Sequence, residues 1–159
     1  MVDFLTALLQ EYSLLFMFLS AFMSATVLPG NSEILFVSLS ASMQLSAQHY
    51  ISTPILTLLC SAIVGNSLGS LTTYWMGRWF PKMDFSQSPH KKVQWVLAKI
   101  EKYGAQALLL SWLPIVGDLF CAVAGWLRLN WRLSFVYIVL GKTLRYIFLL
   151  YIVINYTFL

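Results

Sequence analysis

Two six-residue windows share one pattern: Leu28-Pro29-Gly30-Asn31-Ser32-Glu33 and Leu113-Pro114-Ile115-Val116-Gly117-Asp118. Each runs Leu-Pro, three residues, then a carboxylate, and each lies inside a long apolar stretch. Proline removes a hydrogen bond from the helical ladder and clashes with the preceding turn. A carboxylate in hydrocarbon is costly to keep charged. A chain that carries both twice is expected to hold two related broken-helix elements facing a shared polar site. That arrangement suits movement of something across or within a membrane.

The solvent follows from composition. Hydrophobic residues make up 59% of the 159 residues and charged residues 10%, with mean hydropathy +0.75. Soluble domains carry about 25% charged residues, so this chain has too little polar surface for water. It is long enough for one membrane domain of about four to six segments of ~20 residues. No basic region precedes the first apolar run, since Asp3 and Glu11 are the first charges, so no cleavable signal is expected. Cys60 and Cys121 lie in apolar segments without metal-type spacing. Both are expected to be buried packing residues, with no disulfide.

Residues 13–47 hold no charge except Glu33, and 35 residues of straight helix overshoot a ~30 Å hydrocarbon core. Pro29-Gly30-Asn31 interrupts the run, which predicts two half-helices, either as a re-entrant hairpin or as a kinked span. Pro54 suits the first turn of a helix, and 54–77 reads as a transmembrane helix. Ser61, Gly65, Gly69, Thr73 and Gly77 recur every fourth residue on one face of it, a stripe that lets helices approach closely. Residues 78–103 hold six of the ten basic residues. After Ser88-Pro89, Val93, Val96, Leu97, Ile100 and Tyr103 share a helical face, with lysines opposite and Trp95 at the border. This predicts a basic amphipathic helix on an anionic membrane surface; a solvated connector helix is the alternative. Residues 104–127 form the second broken segment, with breaks placed at Pro114 and Gly117. Residues 133–159 form a final transmembrane helix.

The Lys/Arg bias places 78–103 in the cytoplasm. Two hairpins entering from opposite faces then put eight of the ten basic residues on that side, the logic of inverted repeats in transporters. The predicted fold is an all-α polytopic membrane protein, a single domain over 1–159. It comprises two opposed re-entrant helical hairpins, transmembrane helices and one basic amphipathic interfacial helix.

Four charges remain at membrane depth: Glu33, Asp118, Lys142 and Arg145. The two bases lie three residues apart and so on one helical face. Two readings stay open. They form fixed ion pairs that hold the hairpins to the last helix, or they line a polar cavity for an anionic headgroup, a proton relay, or both. Asn31, Asn66 and Ser111 are candidate lining residues, with Ser32 beside them. The breaks at Pro29, Gly30, Pro114 and Gly117 would present unpaired backbone groups to the same place.

With those residues assembled, the chain resembles the DedA family, also described as the VTT or "SNARE-associated" domain family, and looks closest to its small YqaA-type branch. The matching pieces are Leu-Pro-Gly-Asn-Ser-Glu at 28–33, Gly-Asn-Ser-Leu-Gly at 65–69, Gly-Arg-Trp-Phe-Pro at 77–81, Ser-Trp-Leu-Pro-Ile-Val-Gly-Asp at 111–118, Ala-Gly at 124–125 and Gly-Lys-Thr-Leu-Arg-Tyr at 141–146. The resemblance implies an integral protein of the bacterial inner membrane with opposed re-entrant hairpins. It also implies lipid movement or scrambling, polyprenyl phosphate carriers included, with dependence on proton-motive force in some members. Members usually carry arginines flanking the second-hairpin proline, whereas here Ser111 and Gly117 stand there. The acid that often precedes the first hairpin is replaced by Ser24 or missing. Lys142 and Arg145 are the nearby substitutes for the basic groups.

The leading expectation is a transporter or scramblase of a phosphate-bearing lipid, a phospholipid or a polyprenyl phosphate, with proton coupling as an open feature. The alternatives are a proton-coupled transporter of a small solute or ion, and a non-transporting assembly protein. Expected partners are anionic or phosphate-bearing lipids, protons and a second copy of the chain. No enzyme activity, cofactor, metal or nucleic acid is expected. His49 and His90 stand alone in loops, and the net charge of +4 is explained by topology.

Overall fold

A computed structural model describes residues 12–26, 32–47, 53–81, 91–114 and 116–157. Every regular element among them is helical: α1 (Ser13–Ser24), α2 (Ser32–Ala47), α3 (Thr53–Trp79), α4 (Lys91–Tyr103), a 310 helix (Gly104–Trp112), α5 (Val116–Trp126) and α6 (Trp131–Thr157).

Length separates them into two kinds. α3 and α6 have 27 residues each, about 40 Å of helix, and are long and apolar enough to cross a bilayer. α1, α2 and α5 have 12, 16 and 11 residues, and the 310 helix has nine. Each spans roughly 16–24 Å, short of a ~30 Å core.

The small-residue stripe of α3 does what close packing requires, but against two partners. Its first part lies on α1. Ser61 Oγ donates to the Leu14 carbonyl at 2.7 Å and Thr73 Oγ1 to the Ala25 carbonyl at 2.8 Å. Between them, a Cβ on Gly65 would sit 2.5 Å from the Phe18 carbonyl oxygen, and one on Gly69 would overlap Phe22. The contacts advance together along both chains, so α1 and α3 run parallel. Gly77, the last of the stripe, meets α5 instead, where a side chain would overlap the Ala122 carbonyl. α6 runs antiparallel to α3, since Asn66 meets Tyr146 and Ser70 shares a partner with Lys142.

Two apolar cores result. One gathers Met17, Ala21, Phe36, Ile55, Leu58, Ala62, Tyr146 and Leu150 around α1 and α2. The other gathers Tyr74, Val96, Ile100, Leu108, Phe120, Cys121, Ala124 and Ile138 around α5 and the 310 helix. α3 and α6 contribute to both.

Several sequence expectations are corrected. Val96 and Ile100 of α4 are buried in the second core, and Trp95 makes an edge contact with Phe120. Val96 and Ile100, on the apolar face of this helix, thus pack on α5 and the 310 helix. Tyr103, placed on that face, is exposed. Cys60 is exposed on α3 while Cys121 is buried, and both are free thiols. The first limb of the second broken segment is 310 rather than α. Gly104, at φ +57°, makes the turn into it from α4. Gly117 is not a break residue. It lies in the first turn of α5, where a side chain would overlap the Ser111 carbonyl. The break itself sits at Leu113-Pro114, since Pro114 cannot continue the 310 ladder. The first break, at Pro29, Gly30 and Asn31, lies outside the described residues.

Arg128 ends α5 in the left-handed region at φ 55°. Its N–H donates to the Gly125 carbonyl and that of Leu129 to the Ala124 carbonyl, the Schellman pattern usually served by glycine.

Candidate functional site

The buried face of α6 runs Ser134, Ile138, Gly141, Lys142, Tyr146, Leu150 and Val153. That is ordinary helical spacing, except that a lysine stands in the middle of it. A buried ammonium persists when paired. Lys142 Nζ lies 3.1 Å from Asp118 Oδ1, and Ser70 Oγ donates to the same oxygen at 3.3 Å. One turn further along α6, Arg145 pairs with Glu33.

The two pairs are built alike. Each acid lies in the first turn of a short helix, Glu33 in α2 and Asp118 in α5. The positive end of a helix dipole favours a carboxylate there. Each base comes from α6. In each pair the base is the more buried member: Lys142 is 1% exposed against 26% for Asp118, and Arg145 15% against 37% for Glu33. The acids stand toward the outside and cover the cations.

Beside the Glu33–Arg145 pair lies an uncharged polar cluster drawn from four elements, since Ser32 and Tyr146 adjoin the paired residues in the chain. Asn66 Nδ2 donates to Tyr146 Oη at 3.1 Å and reaches Ser24 Oγ at 3.5 Å. Ser24 and Ser32 share a hydrogen bond of 2.7 Å, and Ser32 also meets Tyr146 Oη at 3.5 Å. Asn66 Oδ1 is buried without a partner among the described residues, as are the hydroxyls of Ser67 and Ser111. Ser111 faces Gly141, where an added Cβ would lie 2.5 Å from its hydroxyl oxygen. Glycine at 141 thus admits Ser111 beside Lys142.

Of the residues singled out from sequence, Glu33, Asp118, Lys142, Arg145, Asn66 and Ser111 come together in this belt. They do so as two discrete ion pairs, with Asn66 in a hydrogen-bonded cluster and Ser111 packed against Gly141, not as one ring of four charges. Asn31, Pro29 and Gly30 lie outside the described residues. Pro114 is exposed at its turn, and Gly117 serves packing. Sequence reasoning missed Tyr146 and Ser70. Tyr146 lies four residues beyond Lys142, and Ser70 four beyond Asn66. The same helical period that paired Lys142 with Arg145 carries both signals. Among the described residues no group of His, Cys, Asp and Glu has the arrangement of a metal site.

Two helices of spanning length, short helices on either side of a proline break, and charges paired within apolar surroundings define a polytopic helical membrane protein. The chain matches the family model described as the VTT domain over residues 12–155, and it belongs to that family, the DedA family of membrane proteins. It is 46% identical over 138 residues to Inner membrane protein YqaA of Escherichia coli (strain K12), covering 87% of this chain and 89% of that protein. The same figures hold for Inner membrane protein YqaA of Shigella flexneri. An uncharacterized protein of Haemophilus influenzae is 54% identical over 143 residues, covering 90% of this chain and 88% of that protein. No solved structure matches the chain.

Proposed function

We propose that the chain is an inner-membrane transporter or scramblase of a phosphate-bearing lipid, with the two ion pairs as exchange sites for the phosphate. The observation that carries this is the shared build of the pairs: a buried base on α6 covered by a more exposed acid at a helix start. A phosphate bears the same charge sign as a carboxylate and offers more acceptor oxygens. It can take the carboxylate's place on Lys142 or Arg145. Protonating Asp118 or Glu33 removes the competing charge, which is the chemical route to proton coupling.

The architecture supports the same reading. The short helices on either side of each break are re-entrant hairpins, since none is long enough to span. The first is followed to Ser24, which accepts from Asn66 at the midpoint of α3, and to Ser32, which is hydrogen-bonded to Ser24. The second is followed to Asp118, which meets Ser70 one turn away. α1 and α5 both run parallel to α3, so one hairpin descends into its break and the other descends out of it. They therefore enter from opposite faces, with tips at one depth, as an inverted repeat requires. The Lys/Arg bias assigns the 78–103 side to the cytoplasm.

Proteoliposomes holding the protein and a fluorescent phosphate-bearing lipid test the proposal. Transbilayer movement should exceed that of protein-free vesicles and fall at least tenfold in Lys142→Gln and Arg145→Gln. No acceleration with any anionic lipid rejects it. A second reading has its own observation, the direct contact in both pairs, which suits fixed struts between the hairpins and α6. Under that reading Asp118→Asn combined with Lys142→Met, which removes both charges of one pair, moves lipid at the parental rate. Under the exchange reading the double variant is slow.

A further inference from the structure

An apolar groove of about 200 Å³ lies away from the ion pairs, between the last turn of α3, α4 and α5. Phe80, Val93, Leu97, Leu119, Ala122 and Trp126 are among its lining residues, and its wall exposes no polar surface. A hydrocarbon chain presents methylenes alone, which such a lining covers without leaving a polar group unpaired.

Its surroundings are basic. The segment from Arg78 to Lys102 holds six basic residues and two acids, Asp84 and Glu101. Arg78 is engaged with Trp75 and Tyr74, and Lys99 and Lys102 lie over the rings of Trp95 and Tyr103. Lys91 and Lys92 are different: both are exposed, and among the described residues neither belongs to an ion pair. They stand at the start of α4, directly before Val93, whose side chain lines the groove. An apolar slot lined by Val93, which follows two exposed ammonium groups with no ion-pair partner among the described residues, complements an amphiphile with a negative head.

We infer that this groove seats one acyl chain of an anionic phospholipid, with the lipid phosphate held by Lys91 and Lys92. The site shares no residue with the ion pairs and does not rest on the transport reading. It holds a resident lipid that fastens α4 to α5.

The test uses the full chain in vesicles of phosphatidylcholine with 20% phosphatidylglycerol as an arbitrary working mixture, roughly matching an anionic leaflet. A trace of phosphatidylglycerol carries a photoreactive acyl chain, and labelled peptides are mapped. Labelling should concentrate on Val93, Leu97, Leu119 and Ala122. It should fall at least fivefold in Val93→Trp, which fills the slot. In Lys91→Gln with Lys92→Gln it should drop to the level given by a photoreactive phosphatidylcholine. Mapping on the unaltered protein stands even where Val93→Trp fails to fold. The inference is overturned by labelling spread evenly over outward residues of α6 such as Leu144, Phe148 and Tyr151. Equal labelling by the two lipids overturns it as well. So does a severalfold rise in labelling in Phe85→Ala, which would show that the chain's own 82–90 segment occupies the slot.

Discussion

Lys142 is the residue on which the interior depends. It is almost wholly buried on α6, and among the described residues Asp118 is its one carboxylate partner. Removing one member of such a pair leaves an uncompensated charge, which costs about 3 kcal/mol or more, whereas removing both can be nearly neutral. Asp118→Ala should therefore destabilise by about 3 kcal/mol, and Asp118→Ala with Lys142→Met should recover most of that in thermal unfolding in mild detergent. A double variant no more stable than Asp118→Ala would mean that the pair is not the relevant contact. Arg128 offers a second test. A non-glycine residue at positive φ carries roughly 1 kcal/mol of strain. Arg128→Gly and Arg128→Ala both remove the guanidinium, so comparing them isolates the backbone. The glycine variant should be more stable by about 1 kcal/mol. The identities of the four charges in the two ion pairs were legible from sequence, because charges stand out in an apolar chain. Which base meets which acid was not, because that depends on the depth at which two distant helices cross.

At the scale of elements, the α3 stripe divides its service between two neighbours. Gly65 and Gly69 admit α1, and Gly77 admits α5. Gly65→Leu should drive α1 off α3 at about 2 kcal/mol or more, since the contacted atom is a backbone carbonyl that cannot swing away. Unfolding midpoints of Gly65→Leu and of Val64→Leu, an exposed position beside it, make the comparison; equal midpoints would reject close packing at Gly65. The spacing of small residues showed that some helix approaches α3. It carried no information on which one, because a stripe records the distance tolerated and not the partner. α4 is a parallel case. Its periodicity revealed an apolar face, but not that Val96 and Ile100 turn that face toward α5 and the 310 helix, since protein and lipid are equally apolar.

For the whole molecule, the proposed opposed hairpins make a topological prediction. Single cysteines at Gln48 and at Lys91, in a background with Cys60 and Cys121 replaced by alanine, should react with a membrane-impermeant maleimide from opposite sides of the membrane. A cysteine at Arg132 should behave like that at Lys91. Labelling of Gln48 and Arg132 from one side would reject hairpins that enter from opposite faces. The all-helical membrane fold, the two long helices and the break at Pro114 were determined by the sequence alone, because hydropathy, helical period and proline are local properties that any conformation of the chain must accommodate. The tertiary structure alone decided that Glu33 meets Arg145, that Asp118 meets Lys142, and that Ser24, Ser32, Asn66 and Tyr146 close into one cluster. Those contacts join residues far apart in the chain, and only the packing of α1, α2 and α5 against α3 and α6 sets the depth at which each polar group finds its partner.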